Sequence, residues 1–216
     1  MTALSKELSD IAAKGKAAEP ENISATLAIQ VPNQGPPPTP FVESLVHFGA
    51  IAPLYVYAEN PNQDDIMAII RPVLAPNGWQ SVQQRLAGLL TALLYDAGFE
   101  SSWIWTTGVD MEPGAGTGRP ADEWEAGAWQ VSANSMSFDA RLGDLVSAHC
   151  NANDPVSFQA GMKSDKLLAI HYAAVLFRCN TRWSGPCVNG TLVAAMSQNN
   201  AAQAVAAMNE FQGLIS

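Results

Sequence analysis

Between Ser81 and Ala97 the chain sets Val82, Leu86, Leu89, Leu90, Leu93, Leu94 and Ala97 at helical spacing, a wide apolar stripe that only a packed core can satisfy. Ser81 followed three residues later by Gln84 has the form of a capping box: the serine hydroxyl accepts an early backbone N–H and the glutamine reaches back. The pattern predicts a long buried helix around which the rest of the fold must wrap. Gly98, the residue type best suited to a left-handed turn, is expected just past the helix end. Glu100 is then thrown onto the surface of the core, close to the helix C-terminus. A carboxylate there meets the negative end of the helix dipole, and Phe99, Trp103 and Trp105 are close enough in sequence to strip it of water. Both effects disfavour the charged form and raise the pKa. A carboxyl still protonated near neutral pH is what a general acid needs when it donates to a poor leaving group such as a glycosidic oxygen. The alternative is an ordinary solvated glutamate after a helix.

From Glu100 to Gln130 the composition changes to Gly, Pro, Thr and acids with little apolar periodicity, and a loop this long in a compact domain is usually functional. It holds Asp110, Glu112, Asp122, Glu123 and Glu125, the pool for a second carboxylate. An inverting glycosidase needs a base about 6.5–9.5 Å from the acid, and a retaining one a nucleophile about 5–5.5 Å away. The order of preference is Asp110, then Asp122, then Glu125, and the same acids could instead be solvated. They could also bind calcium, although the EF-hand spacing is missing.

Glu100-Ser101 at the end of a buried helix, followed by Gly127-Ala128-Trp129-Gln130, resembles the lysozyme superfamily, especially goose-type lysozymes and soluble lytic transglycosylases. Arg182-Trp183-Ser184-Gly185-Pro186 is similar to the Tyr-Asn-Gly-Pro segment of some phage muramidases, with Trp for Tyr and Ser for Asn. The resemblance spans roughly Leu86 to Ala195, in short islands. It implies that Glu100 is the general acid and that the glycine turn with Gln130 lines a sugar cleft. Ser101, Trp103, Glu125 and Gly127 are expected along that cleft, together with Trp129, Gln130, Asn134 and Trp183. Asn134 suits an N-acetyl or hydroxyl group, and Trp129 is either a flat platform for a pyranose ring or a core plug. A transglycosylase needs no second carboxylate, because the sugar's own hydroxyl attacks; the acid-rich loop leans towards hydrolysis.

The 216 residues allow one sizeable core, or a core domain with a small appendage, and 48% hydrophobic with 14% charged residues describes a globular chain. A net charge of −9 argues against a nucleic-acid partner, since such partners are held through Lys and Arg on phosphates. It also suits a polycationic substrate such as chitosan better than an anionic envelope, unless the acidity serves only solubility. No apolar run reaches bilayer length, so no membrane partner is expected. Met1 to Lys16 carries no continuous apolar stretch of the secretory kind. Action on a cell wall would then require a lysis pore, a dedicated secretion machine or a trimmed precursor, with an export, inhibitor or immunity partner as a corollary.

Cys150, Cys179 and Cys187 are an odd set; the last two bracket a short loop and are equally suited to a disulfide or to reduced thiols. Metal-ligand spacing is absent, and His171 falls in an apolar helical pattern as a packing residue. No cofactor is expected. Residues 1–39 are expected to form an N-terminal arm with a Pro-rich linker, and 40–216 a lysozyme-like catalytic domain. The arm is left open between a mobile tail, an export adaptor and a strap lying on the domain. Phe41 to Tyr57 is a helix or buried strand interrupted by Pro53. Asn60 or Asn62 is placed to cap a short helix that Pro72 ends, Ser164 to cap the helix carrying Leu167 to Leu176, and Thr191 to open an Ala-rich helical tail. The expected fold is mostly α, a lysozyme-like α+β arrangement with a central buried helix and at most a small β-hairpin, acting as a monomer on peptidoglycan or a chitosan-like polysaccharide.

Overall fold

The structure is a computed structural model that describes residues 23–61, 64–108, 118–197 and 201–216. Ten helices lie among them: α1 (Ser24–Leu27), α2 (Thr39–Ile51), α3 (Ile66–Leu74), α4 (Val82–Ser101), α5 (Ala140–His149), α6 (Pro155–Ser164), α7 (Lys166–Cys179), α8 (Gly185–Val188), α9 (Thr191–Ser197) and α10 (Ala201–Leu214). The chain is mostly α. Among the described residues the β component is two isolated antiparallel bridges, Gly108 with Ala126 and Ala126 with Val131.

Helix α4 starts where its sequence says it should. Ser81 Oγ accepts from Gln84 N at 3.0 Å, and Gln84 Oε1 accepts from Gln80 N at 2.7 Å, one residue before the partner a capping box would use. From Leu86 to Gly98 every residue is buried, so the expected stripe is in fact a full circumference. The reason is enclosure: α2, α3, α7, α8, α9 and α10 all pack on α4. Each of its buried leucines contributes about 1.5–3 kcal/mol. Val82, counted into the stripe by spacing, is 44% exposed at the helix entrance.

Gly98 does not end the helix. α4 runs on to Ser101, and the left-handed residues are Ser102 (φ 56°) and Trp103 (φ 61°). Gly98 is needed for closeness instead: a Cβ there would lie 2.7 Å from the Trp103 ring and 2.7 Å from Val31. Two helix starts differ from expectation for one reason, that a carboxylate is a stronger acceptor there than a neutral side chain. Asp65 caps α3 by accepting from Met67 N at 2.9 Å, and Asp165 caps α7 through Leu168 N. Pro72 sits inside α3, which runs on to Leu74, rather than ending it. Asn62 lies outside the described residues. Thr191 opens α9 as expected, and Pro53 separates α2 from a 3-10 turn at Leu54–Val56.

Residues 23–38 form a strap on the body. Ile23, Ile29 and Val31 are buried, and Glu210 of α10 accepts from Ala25 N at 3.0 Å, Thr26 N at 2.7 Å and the Thr26 hydroxyl. The earlier part of the arm lies outside the described residues. A buried ion pair ties α7 to the start of α3: Arg178 (4% exposed) donates to Asp65 at 2.7 and 2.9 Å and to the carbonyls of Val56 and Ala58. Cys179 and Cys187 form no disulfide; the Cys179 thiol donates to Asp139 Oδ2 at 3.3 Å. His171 packs against Phe48 and Tyr55, with Nε2 2.6 Å from the Tyr55 hydroxyl, and burial lowers its pKa to about 4. No described helix is long and apolar enough to cross a membrane.

Candidate functional site

The last turn of α4 presents Glu100 to a cleft of about 500 Å³. Phe99, Glu100, Glu125, Gln130 and Trp183 line it together with the stretch Gly185, Pro186, Asn189 and Thr191. Three segments far apart in sequence thus meet at one cleft. Glu100 is half-buried, and its pKa rises from the ordinary 4.5 to about 7, first through burial and second through the negative charge of Glu125. Phe99 shares the cleft, but Trp103 and Trp105 do not dehydrate the acid as expected. Trp103 turns inward and donates its indole N–H to Leu94 O at 2.8 Å, while Trp105 stacks on Phe41 at 4.5 Å. The left-handed turn after Ser101 is what swings them away.

The second wall is a tight reversal. Ala126 and Val131 exchange backbone hydrogen bonds of 2.8 and 3.1 Å. Gly127, at φ +75°, approaches α6 so closely that a Cβ would lie 2.8 Å from Met162 O, a position only glycine fills without strain. Gln130 follows at φ 47° and spends one amide N–H on Gly127 O at 2.7 Å. A primary amide has a second donor and a carbonyl oxygen, and these have no partner among the described residues. Trp183 closes the far side, resting on Phe177 at 5.1 Å between ring centroids.

The remaining expected residues fall elsewhere. Trp129 is 1% exposed and donates to Leu93 O at 2.9 Å, so it is the core plug of the two alternatives and offers no platform. Ser101 is buried and holds the helix end, donating to Ala97 O and accepting from Ile104 N, both at 3.1 Å. Asn134 is exposed, accepts from Ser132 Oγ at 2.7 Å and does not line the cleft. Asp122 is exposed on a 3-10 turn at Ala121–Glu123, also off the cleft. Asp110 and Glu112 lie outside the described residues. Among the described carboxylates Glu125 is therefore the one that shares the cleft with Glu100, which reverses the expected order of Asp122 and Glu125. Its contact with Arg119 is long, 3.8 Å, and solvent-exposed, which leaves the carboxylate available.

Sequence reasoning passed over Asn189 and Thr191, whose mutual hydrogen bonds of 2.8 and 3.0 Å shape the rim, and Asp96, one turn before Glu100. The signal for Asp96 was present: it is the one charged residue in the buried run Leu86–Gly98. Chemically, the cleft pairs an acid poised to hold its proton near pH 7 with a second carboxylate, an amide and an indole, and among the described residues no Lys, Arg or His lines it. No group of three or more His, Cys, Asp or Glu among the described residues is arranged to hold a metal ion. No protein-family model matches this sequence, and comparison with curated proteins and with solved structures finds no match.

Proposed function

We propose that the chain is a lysozyme-like glycoside hydrolase that cleaves β-1,4 linkages between amino sugars, with peptidoglycan as substrate and Glu100 as general acid. The observation that carries the reading is a glutamate with its pKa raised to about 7, opening into a cleft that holds a second carboxylate and sugar-compatible polar groups. Glu100, protonated, donates to the glycosidic oxygen as the bond to the anomeric carbon breaks. Glu125 faces the positive charge that develops on the sugar, and either activates water or attacks the anomeric carbon. Gln130 offers hydrogen bonds to ring substituents and Trp183 an aromatic edge.

A chitosanase is the second reading. Two carboxylates in the cleft and no cation among the described residues that line it, on a chain of net charge −9, favour a substrate whose amino groups are unacetylated and positively charged. Digestion of purified peptidoglycan and of chitosan, followed by mass analysis of the fragments, separates the possibilities. Reducing ends from peptidoglycan support the muramidase, reducing ends from chitosan the rival, and an anhydro-sugar end a lytic transglycosylase. No release from either polymer, with binding retained, would point to a non-catalytic carbohydrate-binding module.

A further inference from the structure

We propose that Asp96 is a positioning residue for Glu100: through Ser184 it ties the far wall of the cleft to the helix that carries the acid. The inference rests on the assignment of Glu100 as general acid and adds a residue to it. Asp96 is fully buried one helical turn before Glu100, and its Oδ1 accepts from Ser184 Oγ at 2.7 Å. Ser184 is also fully buried, and the same oxygen accepts from Cys187 N at 3.4 Å, capping α8. Trp183 precedes it in sequence and Gly185 and Pro186 follow it, all three lining the cleft. Among the described residues this is the one hydrogen bond that joins α4 to residues 181–191.

The surroundings of the tie favour an uncharged acid. Asp96 Oδ2 is buried without a partner, and the groups that face Asp96 are Glu100 on its own helix and Ser184 and Cys187 across the gap. None is a cation. A carboxylate there would bear the full cost of lost hydration and would repel Glu100, so burial holds Asp96 well above the ordinary carboxylate range. Two consequences follow. In its uncharged form Asp96 keeps the link to Ser184 and places no fixed negative charge behind Glu100 while that residue gives up and regains its proton. Serine at 184, where the resembling muramidase segment has asparagine, supplies a hydroxyl that donates to Asp96 while accepting from Cys187.

The test compares D96N, which keeps an uncharged acceptor oxygen, with D96A, which removes it and leaves the Ser184 cap intact. Amide hydrogen exchange over residues 183–191 and the kinetics of glycan cleavage are both measured. D96A is expected to speed exchange there by about fivefold, the worth of one buried neutral hydrogen bond, and to raise KM more than it lowers kcat. D96N should rescue both and leave the alkaline limb of the pH profile in place. The proposal is overturned if D96N is as impaired as D96A, if D96A leaves exchange at 183–191 unchanged, or if D96N moves that limb down by about one pH unit, since removing a proton-free carboxylate would lower the acid's pKa. Should D96A fail to fold, carboxyl-carbon NMR on the intact chain decides: an Asp96 signal that stays at the shift of a protonated carboxyl between about pH 4 and 6 supports the tie, and a signal at the carboxylate shift, or a midpoint near 4, overturns it. Exchange and NMR need no substrate, so an inactive parent chain would count against the glycosidase assignment alone.

Discussion

Replacing Glu100 with glutamine should make the protein more stable at about pH 8 while leaving its stability at about pH 4 nearly unchanged. In the unfolded chain Glu100 ionises near 4.5, and in the folded protein near 7, so between those values folding has to hold a proton that the unfolded chain would release. The destabilisation is absent below the unfolded value, grows as pH rises to about 7, and is constant above it. At about 1.4 kcal/mol per pH unit the gap is worth at most about 3.4 kcal/mol. Solvent reaches the half-buried side chain and screens it, which brings the expected gain of E100Q to about 1.5–2 kcal/mol. For a chain of this size that is a rise of roughly 4–6 °C in Tm. Thermal or denaturant unfolding of parent and variant at several pH values measures it without any substrate. An E100Q gain equal at low and high pH, or no gain at all, would show that the carboxyl is not dehydrated and would refute the reasoning.

Three further outcomes follow from the packing. Arg178→Ala should cost about 3–5 kcal/mol, because it leaves the buried Asp65 carboxyl without its cation, and a denaturant midpoint will show it. Gly127→Ala should lose at least about 1–2 kcal/mol from the left-handed backbone alone, with the approach to Met162 O adding to it, and its glycan turnover should fall with the displaced Gln130. Trp129→Ala should cost about 3–5 kcal/mol of stability, as a core aromatic does, whereas Trp183→Ala should chiefly raise KM for the glycan; comparing unfolding and kinetics of the two variants checks both.

What the sequence disclosed and what it withheld divide along physical lines. The central helix was legible because thirteen enclosed residues need a long apolar run, and Ser81 marks its start. Its end was not, because glycine serves equally for a left-handed turn and for close packing; Gly98 does the second, and the turn falls on Ser102 and Trp103. Helices α5 and α6 drew no attention: they bury only Leu142, Val146, Phe158, Gln159 and Met162, too few to impose a period. Their caps, Asp139 and Asp154 before Pro155, were the available signal. At the site, Glu100, Gln130 and Trp183 were each singled out by sequence, and the structure places them in one cleft. The choice of Glu125 over Asp122 was not legible, because spacing along an irregular loop carries no directional information. Trp129 illustrates the same limit, since an indole suits a core and a sugar platform equally until its neighbours are known.

Incubating the parent chain and E100Q with purified peptidoglycan, and counting the reducing ends set free, tests the role of Glu100 most directly. Steady release by the parent, reduced about 10²–10⁴-fold in E100Q while the variant still binds the polymer, is the outcome expected of a lost general acid. Equal release by both proteins, or none by the parent on peptidoglycan or chitosan, would contradict it.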